Sequence, residues 1–220
     1  MIVKIFSFIL SILLIPACAA FTISFYRGVT GISGISGSGL IFILGAFSYS
    51  VLHLILFKLD FLYVLGHEVM HAIATFVSGG KVLGMKVSGK EGSVKTTTPN
   101  LFIMLAPYLV PVYVVMLALL YFVFSFFTDA ARFSGYFIFF TGFTLMFHLV
   151  YTAESIREKQ SDLMKAGYFF SISLIYIVNI VIVYLIISFL FPKILFFDFI
   201  SASFEKSKQF YYSFWRQLFL

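Results

Sequence analysis

The chain has 220 residues, of which 61% are hydrophobic and only 11% charged, with a mean hydropathy of +1.06. So few charges cannot cover the surface of a water-soluble domain of this size, which excludes an ordinary soluble fold. The net charge of +6 comes without a Lys/Arg cluster interleaved with aromatics, so it argues for loops facing anionic lipid rather than for nucleic acid; the single Cys18 excludes an intramolecular disulfide.

Residues 3–25 form the first apolar segment. It reads as a retained transmembrane helix because apolar residues continue through Phe25. The alternative is a signal peptide, with Lys4 ahead of the apolar run and Ala17-Cys18-Ala19-Ala20 as a small-residue cleavage region. Residues 28–39, GVTGISGISGSG, read as a Gly/Ser-rich loop. A second apolar segment spans Leu40 to Phe57. After a short turn marked by Lys58 and Asp60, a third spans Phe61 to Val77, ending at Gly79 and Gly80. Residues 81–98 change character: KVLGMKVSG and GSVKTTT are β-prone, and Lys90, Glu91 and Gly92 between them predict a hairpin turn.

A fourth apolar segment covers 100–127, interrupted by Pro107 and Pro111, and a fifth covers 133–152. A polar stretch from Glu154 to Lys165 precedes the sixth segment, which reaches Phe191. The tail mixes Phe, Tyr and Trp215 with Lys206, Lys208 and Arg216, as an interfacial amphipathic helix does. The expected fold class is therefore an all-α polytopic membrane protein. It has about six transmembrane helices of roughly 20 residues each, with a small β-hairpin after the third. The whole chain, 1–220, reads as a single membrane domain. Residues 3–58 are accessory helices, 59–191 the core and 192–220 the interfacial tail.

The third segment carries His67-Glu68-Val69-Met70-His71, a His-Glu-x-x-His pattern. Positions i and i+4 of a helix share one face, so two imidazoles can meet one metal ion while Glu68 sits beside them as a candidate general base. Ionisable groups inside a bilayer are costly and usually functional. A catalytic zinc takes three protein ligands and leaves a position for water. His53, His148, Glu154 and Asp162 are the candidates for the third. Segments four and five form an out-and-back pair, which returns 153–165 to the side where the third helix ends and makes Asp162 the best placed. Glu154, with Arg157 at i+3, reads better as a surface ion pair, and His53 as a hydrogen bonder inside the bundle.

The stretch GHEVMHAIATFVSGGKVLGMKVSG, followed by a later helix that starts near an Asp, resembles the first core helix and re-entrant β element of the site-2 protease family of intramembrane zinc metalloproteases. The likeness covers residues 61–170. It implies His67, His71 and Asp162 as ligands of Zn2+ and Glu68 as the catalytic base of an endopeptidase. The substrate it implies is a membrane-anchored protein. The family usually carries Leu-Asp-Gly around the third ligand; here the context is Gln160-Ser161-Asp162-Leu163, which resembles a shorter, divergent branch without a PDZ insertion. The localisation expected is the cell (inner) membrane. Lys81, Lys86, Lys90 and Lys95 place residues 81–98 on the cytoplasmic side. Competing readings are a catalytically inactive protease-like scaffold or binding subunit, against which the intact Glu68 argues, and a transporter, for which no internal repeat speaks. Four His are too few for a di-iron membrane hydroxylase.

Overall fold

The computed structural model describes the chain apart from Met1, Ser33, Ile35, Lys90, Pro192 and Leu220. In chain order, α1 is Ile2–Thr30 and α2 is Gly37–Val51, which continues into a π turn, Leu52–Leu56; α3 is Asp60–Val77. Strands β1, Val82–Val87, and β2, Gly92–Thr96, follow. Then come α4, Leu101–Leu109, α5, Val112–Phe124, a 3₁₀ turn at Ala130–Phe133 and α6, Ser134–Arg157. The chain ends with α7, Ser161–Ala166, α8, Tyr168–Leu190, and α9, Phe196–Phe219.

Among the described residues, four helices are long and apolar enough to cross a membrane: Ser7–Thr30, Gly37–Leu56, Ala130–Arg157 and Tyr168–Leu190. α4 and α5 together make a fifth only if a 69° bend is counted as one broken span. Large apolar side chains such as Leu54, Leu120, Phe127 and Phe189 stand exposed, as they do where the solvent is lipid. The chain is thus a mostly helical membrane protein with, among the described residues, one two-stranded sheet.

The structure departs from the six expected spans in several places. The 100–127 segment is not one helix: Pro111 supplies no N–H and biases the preceding residue away from helix, and Val110 is extended (φ −114°, ψ 116°). α3 is not among the four long apolar helices, because Asp60, His67, Glu68 and His71 dilute its hydropathy. The expected 28–39 loop is shorter, since α1 runs to Thr30 and α2 begins at Gly37. The polar stretch before α8 contains a helix of its own, α7, separated from α8 by Gly167 at φ +101°.

The chain forms two compact units, residues 37–162 and residues 1–36 with 163–220. In the second of these, α1 packs against α8 and α9, with Phe21, Tyr184, Ile194 and Phe199 buried; the Tyr184 and Phe199 rings stack at 3.9 Å. In the 37–162 unit, α2 lies along α6, α5 also packs on α6, and α3 packs on α4 and the hairpin. Met70, Ala74, Ile103 and Ala106 fill the α3–α4 interface, and Tyr49, Phe147 and Tyr151 form an aromatic core beside it.

Local signals explain the boundaries that matter for function. α3 ends in a Schellman turn: Gly79 has φ +73° and the Gly80 N–H bonds the Thr75 carbonyl at 2.9 Å. This throws the chain into the hairpin, whose strands run antiparallel with Val87 opposite Gly92 and Met85 opposite Val94. Ser88 and Glu91 close the turn with an N–H to carbonyl bond of 2.8 Å; Lys90, expected in that turn, lies outside the described residues. Asn100 caps α4 by accepting the Ile103 N–H at 2.8 Å. α6 ends where Lys159 takes a left-handed conformation (φ 52°) and the Gln160 N–H reaches back to the Ser155 carbonyl at 3.2 Å.

The α2–α6 contact depends on two glycines. A Cβ at Gly45 would strike the Phe139 carbonyl, and one at Gly142 the Phe42 carbonyl, so each helix lies on the other's backbone. Gly142→Ala should force the helices apart and cost about 1–3 kcal/mol. Thermal unfolding of the detergent-solubilised protein should show a lowered midpoint for Gly142→Ala but not for Gly135→Ala, where the nearest atom to a new Cβ is Ile41 Cδ1 at 3.9 Å.

Candidate metal centre

His67 and His71 occupy adjacent turns of α3, and their Nε2 atoms are 3.1 Å apart. The Lys159 turn between α6 and α7 directs Asp162, in the first turn of α7, toward them: its Oδ2 lies 3.3 Å from His71 Nε2 and 3.8 Å from His67 Nε2. All three belong to the 37–162 unit. Among the described residues this is the one group of three or more His, Cys, Asp or Glu side chains able to share a metal ion. Ligands at ~2.0–2.2 Å from a tetrahedral zinc stand about 3.3–3.6 Å from one another. The observed separations of 3.1, 3.3 and 3.8 Å bracket that edge length.

The donor chemistry fits a cation as well as the spacing does. Two imidazole nitrogens and a carboxylate oxygen face one point, and three facing lone pairs repel one another unless a proton or a metal cation sits between them. Burial works against the charge on Asp162, but hydrogen bonds from the two imidazoles beside it prevail and hold its carboxyl below the usual carboxylate range. The second ring nitrogens are also engaged: His71 Nδ1 bonds the Ile103 carbonyl at 2.8 Å, and His67 Nδ1 lies 3.3 Å from the Tyr63 hydroxyl.

Glu68 does not point its carboxylate into the ligand triple. It is 6% exposed, and its Oε2 is buried without a hydrogen-bond partner. A polar cavity of about 550 Å³ is lined by Glu68 together with His67, Asp162 and Gly92. The first residue of β2 sits directly over the carboxylate: a Cβ on Gly92 would come within 2.5 Å of Glu68 Cγ and 2.6 Å of its Oε1. A side chain at this position would have to displace the Glu68 carboxylate, so the constraint is close approach and not an unusual backbone angle.

The other third-ligand candidates are engaged elsewhere. Glu154 accepts from Lys58 at 2.5 Å, lies 3.3 Å from His53 Nε2 and is 3.9 Å from Arg157, so the ion pair expected with Arg157 is the weakest part of a larger network. His53 also meets the Tyr49 hydroxyl at 2.9 Å, as a buried hydrogen bonder does. His148 lies beside a small cavity with His67 and Tyr113 and is not part of the triple.

Sequence reading missed Tyr63, Tyr108, Gly92 and the Ile103 carbonyl. Tyr63 carried a usable signal, standing four residues before His67 on the same helix face. Tyr108 is fully buried edge-on to the His67 ring, with its hydroxyl donating to Gln160 at 3.4 Å. Comparison with protein-family models, curated proteins and solved structures returns no match.

Proposed function

We propose that this chain is a zinc metalloendopeptidase of the site-2 protease type, cutting membrane-anchored proteins at or within the membrane. The observation that carries the proposal is the convergence of His67, His71 and Asp162 beside the buried, unpartnered Glu68 at the end of a polar cavity. His67, His71 and Asp162 would hold the zinc. When bound, the ion supplies Lewis acidity, polarising a peptide carbonyl and acidifying water. Glu68 takes the proton of the attacking water and passes it to the leaving amine. Its free Oε2 provides the acceptor that step needs, and the cavity provides a path for water to a helix otherwise packed in apolar surroundings.

The hairpin is the element suited to the substrate. A transmembrane helix hides its carbonyls in internal hydrogen bonds, whereas an extended segment can add to a strand edge. β1 and β2 pair only with each other among the described residues, which leaves an outer edge on each, and β2 starts over Glu68. Lys81, Lys86 and Lys95 on the hairpin are exposed, in keeping with a cytoplasmic position in the cell membrane.

Three outcomes test the proposal. The purified protein should bind one zinc, and His67→Ala, His71→Ala and Asp162→Ala should each lose stoichiometric metal; metal content equal to wild type in all three would refute the site. Glu68→Gln should keep the zinc and lose cleavage by about 10²–10⁴-fold or more, whereas loss of metal with activity would make Glu68 a ligand instead. Gly92→Ala should leave zinc content unchanged and lower the cleavage rate, because its methyl displaces the Glu68 carboxylate; a wild-type rate would remove the hairpin from the site.

A further inference from the structure

Resting on the zinc reading, one feature of α4 acquires a purpose. In an α-helix the carbonyl of residue i accepts the N–H of residue i+4. For Ile103 that donor would come from Pro107, which has none. The Ile103 carbonyl is instead met by His71 Nδ1 at 2.8 Å. A carbonyl cannot donate, so Nδ1 carries a proton, and in the neutral ring, the form that ligates a metal, the lone pair is on Nε2, which faces His67 and Asp162.

His67 reaches the same state by another route. The Ser155 hydroxyl donates to the Tyr151 carbonyl at 2.8 Å. Its single proton is thereby used, so at 2.5 Å from Tyr63 it accepts the phenolic proton. The Tyr63 oxygen, its own proton spent, accepts from His67 Nδ1 at 3.3 Å. That again leaves the lone pair on Nε2. The chain of donors runs one way, from His67 through Tyr63 and Ser155 into the backbone of α6. The Tyr63 ring is fixed for this by stacking on Tyr151, with centroids 4.4 Å apart and planes 4° from parallel.

We infer that Pro107 and Tyr63 are positioning residues that lock both imidazoles in the Nδ1–H tautomer, with both Nε2 lone pairs aimed at the metal. Pro107 acts by leaving the Ile103 carbonyl to His71, and Tyr63 by relaying to Ser155. A proline inside a buried helix thus has a role other than bending it.

The test is zinc affinity of the full chain in detergent, measured by competition with a chromophoric chelator, alongside thermal unfolding. Pro107→Ala restores an N–H that competes for the Ile103 carbonyl. It should weaken zinc binding by about 10-fold or more, within the 10–100-fold range of outer-sphere partners, while the metal-free protein becomes more stable because a helix bond is regained. A merely structural proline would not move the two quantities in opposite directions. Tyr63→Phe keeps the ring and should weaken binding similarly. Ser155→Ala in the Tyr63→Phe background should add nothing further, since both act through one path. Cobalt-loaded Tyr63→Phe and Pro107→Ala should also show altered visible spectra. Wild-type affinity in either single variant overturns the inference and leaves the zinc reading intact, whereas absence of zinc binding in the wild type overturns that reading itself.

Discussion

Three lone-pair donors brought to one point in apolar surroundings are the constraint on which the rest of the 37–162 unit depends. In water such an arrangement costs little, because solvent screens it. Here the His67 and His71 rings stand on a helix packed against α4 and the aromatic core, and only the polar cavity on their Asp162 side offers them solvent. Electrostatic effects grow as the dielectric falls, so the same burial that makes three facing lone pairs unfavourable strengthens their attraction to the cation proposed here. The neighbouring elements make sense as supports for it. The Lys159 turn presents Asp162, Asn100 fixes the start of α4 and hence the Ile103 carbonyl, and Gly79 with Gly80 returns the chain so that β2 reaches Glu68.

The local parts of this were legible in the amino-acid sequence, because they follow from short-range rules. The i, i+4 spacing placed His67 and His71 on one face, and the glycine pair after Val77 marked the end of α3. The change from long apolar runs to β-prone segments located the hairpin within a residue or two. Asp162 followed from a topological argument, and it does come to the histidines. Its local structure is not legible there: the polar stretch carries a six-residue helix of its own, set off from α8 by Gly167, which hydropathy does not register.

What stayed illegible depends on tertiary distance. Hydropathy sees 100–127 as one apolar run, since Pro111 is itself compatible with lipid; only the backbone geometry at Val110 breaks it. Gly45 and Gly142 look like ordinary glycines in apolar helices until α2 and α6 are laid together. Glu154 shows the limit of reading neighbours in sequence. The nearby Arg157 suggested its partner, but Lys58 and His53, about a hundred positions away, hold it more closely. That same network holds Glu154 away from His67 and His71, so the sequence reading of Glu154 as an ion-pairing residue stands with different partners.

The charge balance of the cavity gives the last connection between fold and chemistry. Its walls carry the carboxylates of Asp60, Glu68, Glu91, Glu154, Glu158 and Asp162 against one lysine, Lys58. Grouped carboxylates in a protein otherwise so poor in charge are stable only where water or cations reach them. Asp60 accepts the Tyr151 hydroxyl and Glu154 is held by Lys58 and His53, which ties the outer wall to α6 and the π turn. Glu68 alone among the described buried side chains keeps an oxygen with no donor. The acid-rich wall therefore suits both parts of the proposal: a route that water can enter, and an inner end that attracts a divalent cation. An apolar cavity of the same size would do neither, because it would stay dry and leave Glu68 without the water that the proposed mechanism has it deprotonate.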